Sequence, residues 1–327
     1  MGLGVVTLKG VLAYKRSLIT ALCLVAIGVP AFLVNTRYQK WLKTVKDSML
    51  VMDWPGFGPE KGLYNFTVVT ALLDIGRGDW DNQQRKYSTY LLYMQRMLRL
   101  DVNMVVFVEP KGRPFIDWMR RGREARTRVV EIGVKDLPYY SYRDKFADIM
   151  ASEQYRQNNE LYSTSKAEAI IPEYDILQLS KFYFMDRAVR ENPFNTSYYI
   201  WLDAGYAHGK DVHPEDGVWV PKNLFDHAHQ LTFIERKPGA LHYKPQRARL
   251  HKISINIIAG LFFAGGGEVI QEVYKLQQKQ VDNWLEKGIV DDDQTMYMLL
   301  YYQAPALFNL VSGDWLDVFK LFNAHES

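Results

Sequence analysis

Residues 66–80 read FTVVTALLDIGRGDW, a largely apolar, β-branched run followed by a polar loop that contains two glycines. The run over 66–73 is continuous rather than alternating, which is typical of a strand buried on both faces. Six further runs of this kind lie at 103–108, 127–132, 198–202, 231–235, 257–264 and 306–311. Helical spacing of apolar residues predicts helices between them, at 84–100, 114–123, 143–157, 174–190, 268–287 and 292–303. This alternation predicts an α/β fold with a mainly parallel sheet flanked by helices.

The composition indicates one folded domain and excludes several classes of protein. Of the 327 residues, 48% are hydrophobic and 14% are aromatic, which argues against a disordered chain. The net charge of +3 is uneven, because residues 1–48 carry +6 and the remainder −3. A mildly acidic globular part lacks the basic surface of a nucleic-acid binder, so no nucleic-acid partner is expected. The lone Cys23 excludes a disulfide framework and a cysteine-based zinc site.

An uncharged, mostly apolar stretch at 17–36 predicts a transmembrane signal anchor, because 20 helical residues are enough to cross the hydrocarbon layer. Since the globular mass follows the anchor and Asn195 begins a glycosylation triplet, we expect a single-pass type II membrane protein facing the Golgi or ER lumen. A signal peptide cleaved near Val29-Pro30-Ala31 is the alternative. The expected segments are a short cytoplasmic tail (1–16), the anchor (17–36), a stem (37–59) and a globular domain (60–327).

Asp203 directly follows the predicted strand at 198–202, and the sequence continues as AGYAHG. Ligands of parallel sheets bind beyond the carboxyl ends of the strands, so this carboxylate is placed to meet a hard cation or a ribose hydroxyl. Gly205 permits a close approach of the backbone, and His208 is a second candidate metal ligand. The alternative is that Asp203 caps an ordinary turn.

The loop after the first strand carries a second set of candidates. Asp74 follows the strand, and Arg77 lies between Gly76 and Gly78. Glycines let the backbone turn sharply, and a guanidinium binds phosphate as a planar fork. An ordinary polar loop is the alternative. No GxGxxG spacing is present, so the pattern gives little support to a dinucleotide-binding Rossmann fold.

Two later motifs are candidates for the same cleft. Gly265 and Gly266 precede a predicted helix, whose free N–H groups can bind an anion or a sugar hydroxyl, although small residues there can equally relieve crowding. The next helix opens with DDDQ, in which Asp291 is the expected N-cap. Three adjacent carboxylates repel one another unless a cation or substrate hydroxyls relieve them, so we expect Asp292 or Asp293 to take part in the function.

The strongest local charge is a run of arginines on a predicted helix and its exit. On such a segment the pattern predicts a solvated face, and a docking surface for an acidic acceptor or for lipid head groups is the alternative. The run comprises Arg113, Arg120, Arg121, Arg123, Arg126 and Arg128.

Four motif blocks stand in order along the chain: TVVTALLDIGRGDW at 67–80, NPFNTSYYIWLDAGYAHG at 192–209, AGLFFAGG at 259–266 and DDQ at 292–294. Together they resemble the HtrL/YibB family, whose members are similar to glycosyltransferases with a GT-A-type nucleotide-sugar fold. The resemblance implies that Asp74 and Arg77 lie at the nucleotide and that Asp203 and Gly205 occupy the place of the acidic element. It also implies which residues flank the transferred sugar, namely Gly265, Gly266, Asp292 and Asp293.

The resemblance further implies a membrane-anchored hexosyl- or pentosyltransferase that moves a sugar from a nucleotide-sugar donor to a glycan, glycoprotein or glycolipid acceptor. Mn²⁺ or Mg²⁺ held by Asp203 and His208 would neutralise the diphosphate, and Lys181 would add a cation at the donor. Asp292 or Asp293 would bind a donor hydroxyl or act as the general base.

Gly205 stands where the wider GT-A pattern has a second aspartate. The alternative function is therefore a catalytically degenerate lumenal protein of the same fold that binds a glycan or a partner. A membrane-linked hydrolase has less support, because the sequence contains neither a GxSxG nor an HExxH element.

Overall fold

A computed structural model describes residues 54–80, 84–236 and 239–323 of the chain. Among these residues, seven strands form one mixed sheet in the order β3-β2-β1-β4-β6-β5-β7. The strands are β1 (Phe66–Leu72), β2 (Asn103–Val108), β3 (Thr127–Glu131), β4 (Tyr198–Leu202), β5 (Leu231–Glu235), β6 (Ile258–Gly266) and β7 (Phe308–Ser312). Each strand coincides, within two residues at either end, with an apolar run of the sequence. The predicted α/β class is confirmed.

Most neighbouring strands in the sheet run parallel, as the sequence predicts. The pairs β1–β2, β2–β3, β1–β4 and β5–β7 are parallel. The exception is β6, which is antiparallel to both β4 and β5. Leu202 at the end of β4 therefore pairs with Phe262, and Tyr198 at its start pairs with Gly266. The beginning of β6, not its end, lies at the edge of the sheet where β1 and β4 terminate.

The helices occupy the segments between the strands. In the described part of the chain they are α1 (Tyr87–Leu98), α2 (Arg113–Met119), α3 (Arg143–Ala151), α4 (Glu153–Arg156), α5 (Glu160–Ser163), α6 (Ala167–Ile170), α7 (Pro172–Leu179), α8 (Lys181–Glu191), α9 (Gly267–Glu286), α10 (Asp293–Gln303) and α11 (Val318–Leu321). One-turn 3-10 helices at Arg77–Asp79 and Tyr206–Gly209 follow β1 and β4.

Two helices that the sequence predicts as continuous are interrupted by serines. Ser152 is extended, with φ −70° and ψ 143°, and its hydroxyl accepts a hydrogen bond from the backbone N–H of Tyr155. It therefore caps a new helix, α4. Ser180 separates α7 from α8, and its hydroxyl donates to the carbonyl of Ile176 at 2.7 Å. Local side-chain bonds of this kind compete with helical ones, which apolar spacing alone does not reveal.

Helix α8 packs against β1 and β4. The ring of Phe184 stacks on that of Trp201, with centroids 5.9 Å apart, and contacts the ring of Phe107 at 4.8 Å. Buried aromatic pairs of this geometry contribute about 0.5–1.5 kcal/mol beyond the area that they bury. This packing fixes α8 so that its first residue, Lys181, lies at the carboxyl end of β4.

Arg120 contradicts the prediction of a solvated arginine face. Its side chain is buried, and the guanidinium donates to the carbonyls of Leu98, Leu100 and Val102 at 3.1, 2.6 and 2.8 Å. A further bond of 2.8 Å joins it to the hydroxyl of Thr127. The guanidinium thus provides hydrogen bonds for the buried carbonyls between α1 and β2. The sequence shows the charge of this arginine but not whether the side chain is buried in this structural role or exposed to solvent.

Arg123 is also buried, and it holds the N-terminal strap (residues 54–62) on the domain. Its guanidinium donates to the carbonyls of Gly58 and Pro59 at 2.9 and 3.0 Å and to the carboxylate of Asp101 at 2.9 Å. Asp101 also accepts from the backbone N–H of Lys61. Hydrogen bonds from Arg123 and Lys61 hold the pKa of Asp101 well below its usual range, against the upward effect of burial.

The membrane predictions need correction. No helix among residues 54–80, 84–236 and 239–323 has both the length and the apolar character that a membrane crossing requires. This finding contradicts the prediction of a type II membrane protein of the Golgi or ER. The predicted tail, the predicted anchor at 17–36 and the stem up to residue 53 lie outside the described residues.

Candidate functional site

A pocket of about 640 Å³ lies at the edge of the sheet where β1 and β4 end. The segments that line it include the loop after β1, the first turns of α1 and α8, helix α7, the loop after β4, the start of β6, the first turn of α10 and the loop after β7. Most of the predicted site residues meet in this pocket. They are Asp74, Arg77, Lys181, Asp203, Gly205, His208 and Asp293.

Gly265 and Gly266 do not join this pocket. Because β6 is antiparallel to β4, these two glycines pair with Tyr199 and Tyr198 at the start of β4, on the opposite edge of the sheet. A β-carbon at Gly266 would lie 2.6 Å from the carbonyl oxygen of Ala228. The expectation that they flank a transferred sugar is therefore corrected, and relief of crowding explains them.

Gly260, at the other end of β6, is a site residue that the sequence analysis missed. A β-carbon at this position would lie 2.7 and 2.9 Å from the two carboxylate oxygens of Asp293. Its carbonyl accepts a hydrogen bond from Lys181 Nζ at 2.8 Å. The signal was present in the AGLFFAGG block, but the strand was expected to run in the other direction.

Lys181 stands at the centre of the site. Its Nζ lies 3.0 Å from Asp203 Oδ1 and 2.7 Å from Asp293 Oδ2. The indole N–H of Trp201 donates to the same Asp203 oxygen at 2.7 Å, which fixes that carboxylate. Burial alone would lower the pKa of Lys181, but the carboxylates of Asp203 and Asp293 outweigh it and the net shift is upward. The lysine is therefore a permanent ammonium at neutral pH.

The row of aspartates before α10 divides into different roles. Asp292, not the expected Asp291, is the N-cap, and its carboxylate accepts from the backbone N–H of Gln294 at 3.0 Å. Asp291 accepts from the backbone N–H of Asp292 at 2.9 Å. Asp293 alone of the three lines the pocket. The structure thus places Asp293 at the site and uses Asp292 to start the helix.

Burial sets the protonation of these carboxyls. It raises the pKa of Asp293 to about 7, although Lys181 opposes the shift, and it raises the pKa of Asp292 to about 6. A carboxylate that titrates near neutrality is suited to accept a proton from a substrate hydroxyl. Asp293 has both the pKa and the position for such a role.

The same pocket also contains positively charged side chains. We call them the cationic wall, formed by Arg77, Arg85 and Lys210. Arg77 Nη1 donates to the hydroxyl of Tyr90 at 2.7 Å, and its guanidinium carbon lies 5.3 Å from the ring centre of Trp80. Aromatic contacts of this kind orient a guanidinium while leaving it charged.

His208 lies against the cationic wall, and its pKa reflects the positive potential there. Its Nε2 is 3.1 Å from Arg85 Nη1. Burial lowers the pKa of His208, and the nearby charges of Arg85, Arg77 and Lys210 lower it further. A positive potential that disfavours a protonated imidazole favours a bound anion at the same place.

The loop after β4 carries backbone strain that orients these groups. Ala207 and His208 adopt left-handed conformations, with φ 61° and 48°. Such conformations cost about 1 kcal/mol or more in non-glycine residues and persist where the surroundings impose them, often at functional sites. Gly205 packs against the ring of Tyr90, 3.0 Å from where a β-carbon would be. Its role is close packing of the loop.

Asp74 lies at the rim, where the pocket adjoins a second pocket of about 570 Å³. Its carboxylate forms an ion pair with Lys111 and accepts from the backbone N–H of Gly76 at 3.0 Å. These bonds hold the loop that presents Arg77. The carboxylate of Asp74 therefore bonds to other groups of the protein at the mouth of the pocket.

The residues expected to hold a divalent metal do not fit one. The carboxylate of Asp203 is bound by Lys181 and Trp201, and Nε2 of His208 is directed at Arg85. In the described ranges, no group of three or more histidine, cysteine or acidic side chains is arranged to hold a metal ion. The positive charge at the two carboxylates comes from a side chain.

Asp175 on α7 has a buried carboxyl group that affects the stability of the fold. Neither of its oxygens has a hydrogen-bond partner among the described residues. Burial raises its pKa well above the usual value, and the carboxyls of Asp291 and Asp292 add to the shift. The folded chain therefore keeps a proton that the unfolded chain releases above pH of about 3.9, so this group reduces stability as the pH rises.

We expect Asp175→Asn to raise the melting temperature by about 3 °C or more at pH 7.5 and by little at pH 4. Each unit of pKa shift removed contributes about 1.4 kcal/mol, and about 2–4 °C corresponds to 1 kcal/mol in a domain of this size. Thermal unfolding followed by circular dichroism measures both values. Asp148→Asn, at an exposed position of α3, is the matched control and should change neither. Equal shifts at the two pH values would contradict the assignment.

Two solved structures resemble parts of the chain. The apo form of mouse xyloside xylosyltransferase 1 is 11% identical, covers 81% of this chain and 95% of that chain, and has a TM-score of 0.38. The 4-diphosphocytidyl-2C-methyl-D-erythritol synthase of Anaerococcus prevotii DSM 20548 is 7% identical, covers 78% and 90%, and has a TM-score of 0.35. TM-scores this low do not establish a shared fold.

Sequence comparison is more informative. Protein HtrL of Escherichia coli (strain K12) is 29% identical over an alignment of 271 positions, which covers 79% of this chain and 93% of that protein. The family described as "Bacterial protein of unknown function (HtrL_YibB)" matches residues 64–324. That range contains all four motif blocks and every residue of the pocket. The chain therefore belongs to the HtrL/YibB family.

Proposed function

We propose that this chain is a glycosyltransferase that binds a nucleotide-diphospho-sugar donor in the pocket at the ends of β1 and β4. The observation that carries the proposal is that one pocket contains both the cationic wall and two carboxylates, Asp203 and Asp293, that are bridged by Lys181. A diphosphate needs cations, whereas sugar hydroxyls and a developing positive charge at the anomeric carbon need carboxylates. The pocket supplies both.

The cationic wall is suited to the diphosphate. Guanidinium groups at Arg77 and Arg85 can each donate two bonds to phosphate oxygens, and Lys210 adds a third charge. A volume of about 640 Å³ falls within the range of small-molecule sites, about 300–1,000 Å³. The mainly parallel seven-stranded sheet, with the pocket at its carboxyl edge, is compatible with the GT-A-type fold that the family resemblance implies.

The carboxylates are suited to the sugar and the acceptor. Asp203, whose side chain is 31% exposed, accepts hydrogen bonds from donor hydroxyls, and Asp293, which is 3% exposed and lines the same pocket, acts at the reacting carbon. The bond between the anomeric carbon and the diphosphate oxygen breaks, and the diphosphate leaves with the electron pair. The acceptor oxygen bonds to the anomeric carbon and its proton passes to the carboxylate of Asp293.

A panel of nucleotide diphosphates and nucleotide sugars tests the proposal. At a concentration about 100 times its Kd, the correct nucleotide should stabilise the chain by about 2.7 kcal/mol, a rise of about 5 °C or more in melting temperature. Its sugar conjugate should release nucleotide diphosphate when glycan acceptors are added. Arg77→Ala should remove the thermal shift, whereas Arg247→Ala, at an exposed position outside the pocket, should keep it.

Two other outcomes would change the assignment. Binding of a nucleotide without release from any sugar donor would favour the degenerate binding protein, which the glycine at position 205 also suits. No thermal shift with any nucleotide diphosphate would remove the proposed function altogether.

A further inference from the structure

Three groups of the protein surround the ammonium of Lys181. Asp203, Asp293 and the carbonyl of Gly260 lie 3.0, 2.7 and 2.8 Å from Nζ. Nζ donates hydrogen bonds to Asp203 and to the carbonyl of Gly260, and it forms an ion pair with Asp293. The partners come from three remote elements, the end of β4, the first turn of α10 and the start of β6. Lys181 therefore joins the two carboxylates of the site from within the fold.

Only a small part of this ammonium and of the Asp293 carboxylate is exposed to the pocket. The side chain of Lys181 is 6% exposed, and that of Asp293 is 3% exposed. The backbone of Gly260 lies so close to the carboxylate of Asp293 that there is no room for a β-carbon between them. Mg²⁺ and similar ions need about six oxygen ligands in octahedral geometry, several of them water. A divalent ion bridging these carboxylates would also lie within a few ångströms of the ammonium and be repelled by it.

Positive charge for a leaving diphosphate is available elsewhere in the pocket. Arg77, Arg85 and Lys210 form the cationic wall of the same pocket. The two tasks of a bound metal, holding acidic side chains in place and neutralising phosphate oxygens, are thus divided between Lys181 and the wall. Each task has its own permanent cation.

We infer that Lys181 takes the place of a divalent metal ion between Asp203 and Asp293, so that nucleotide binding and sugar transfer here need no divalent metal. The inference deepens the proposed function and rests on it. Lys181 acts as a positioning residue, because its ammonium is held within the protein by Asp203, Asp293 and Gly260. Asp203 and Asp293 contact the donor, and the cationic wall contacts the diphosphate.

Manganese titration of the full chain, followed by the electron paramagnetic resonance signal of free Mn²⁺, tests the first part of the inference. The wild-type chain should bind Mn²⁺ no more tightly than about 1 mM. Lys181→Met leaves two carboxylates and a carbonyl without a cation, so this variant should bind Mn²⁺ at least about tenfold more tightly. Lys181→Arg keeps the charge and should not gain this binding, and neither should Lys252→Met, a lysine outside the pocket.

Calorimetric titration with UDP and GDP, in EDTA and then in Mn²⁺, tests the second part. The Kd of the nucleotide that binds should differ by less than about twofold between the two conditions. Micromolar Mn²⁺ binding by the wild-type chain, or a loss of nucleotide affinity of about tenfold or more in EDTA, would overturn the inference and leave the proposed function standing. No nucleotide binding in either condition would instead overturn the proposed function. If Lys181→Met does not fold, the wild-type measurements alone still decide.

Discussion

Replacing Asp293 by asparagine is expected to reduce the kcat of sugar transfer by about 10³-fold while leaving the chain folded. Asparagine keeps the shape of the side chain and a carbonyl oxygen for Lys181 Nζ, 2.7 Å away, but it cannot accept the proton of the acceptor. General-base catalysis contributes about 10²–10⁴-fold. The nucleotide should still bind, because the cationic wall is unchanged.

The pH dependence separates this role from a structural one. Burial raises the pKa of Asp293 to about 7, so the rate of the wild-type enzyme should increase with pH up to about that value and then level off. The residual rate of Asp293→Asn should lack this rise. Release of nucleotide diphosphate, measured from pH 5 to 9 with kcat and KM resolved at each pH, provides the comparison.

Asp292→Asn is the matched control for this experiment. Asp292 caps α10, and asparagine caps helices about as well as aspartate does, so this variant should be as stable as the wild-type chain. We expect it to retain transfer within about tenfold. If Asp293→Asn kept more than about a tenth of the wild-type kcat, Asp293 would not be the base.

Replacing Arg120 by alanine is expected to destabilise the fold by about 3–5 kcal/mol. The buried guanidinium donates to three backbone carbonyls and a threonine hydroxyl, and its loss leaves those acceptors without partners as well as a cavity. Arg120→Lys should recover only part of this stability, because an ammonium cannot reach acceptors arranged around a planar fork. Urea unfolding followed by tryptophan fluorescence gives the free energies.

Arg113→Ala is the matched control, since that side chain is 46% exposed and its ion pairs among the described residues, with Asp117 and Glu131, lie at the surface. Exposed pairs of this kind contribute about 0–1 kcal/mol, so little change is expected. Equal destabilisation by Arg113→Ala and Arg120→Ala would show that the arginine run acts as a single charged surface, as the sequence suggests.

The strands were predictable because each is an apolar run of five to nine residues between polar segments. The directions of the strands were harder to predict. Alternation of strand and helix favours parallel pairing, and nothing in the residues of β6 shows that it enters the sheet from the opposite edge. That reversal moved the expected glycine site from Gly265 to Gly260.

Within the candidate site, the carboxylates and cations were identifiable, but their pairing was not. Asp203 follows a buried strand and Asp293 opens a helix, and both positions are visible in the sequence. The distance between them depends on how α8 and α10 pack on the sheet, which is a tertiary property. Lys181 was expected to face the donor, whereas the structure turns its ammonium toward the two carboxylates.

The N-terminal strap determines where a minimal folded fragment of this protein has to begin. The family match starts at residue 64, whereas the carbonyls that Arg123 binds belong to Gly58 and Pro59. A fragment cut at the match would remove those acceptors and leave a buried guanidinium with Asp101 as its remaining ion-pair partner. Expression from Trp54 onward keeps this attachment, so truncations for biochemical work should be placed ten residues earlier than sequence similarity indicates.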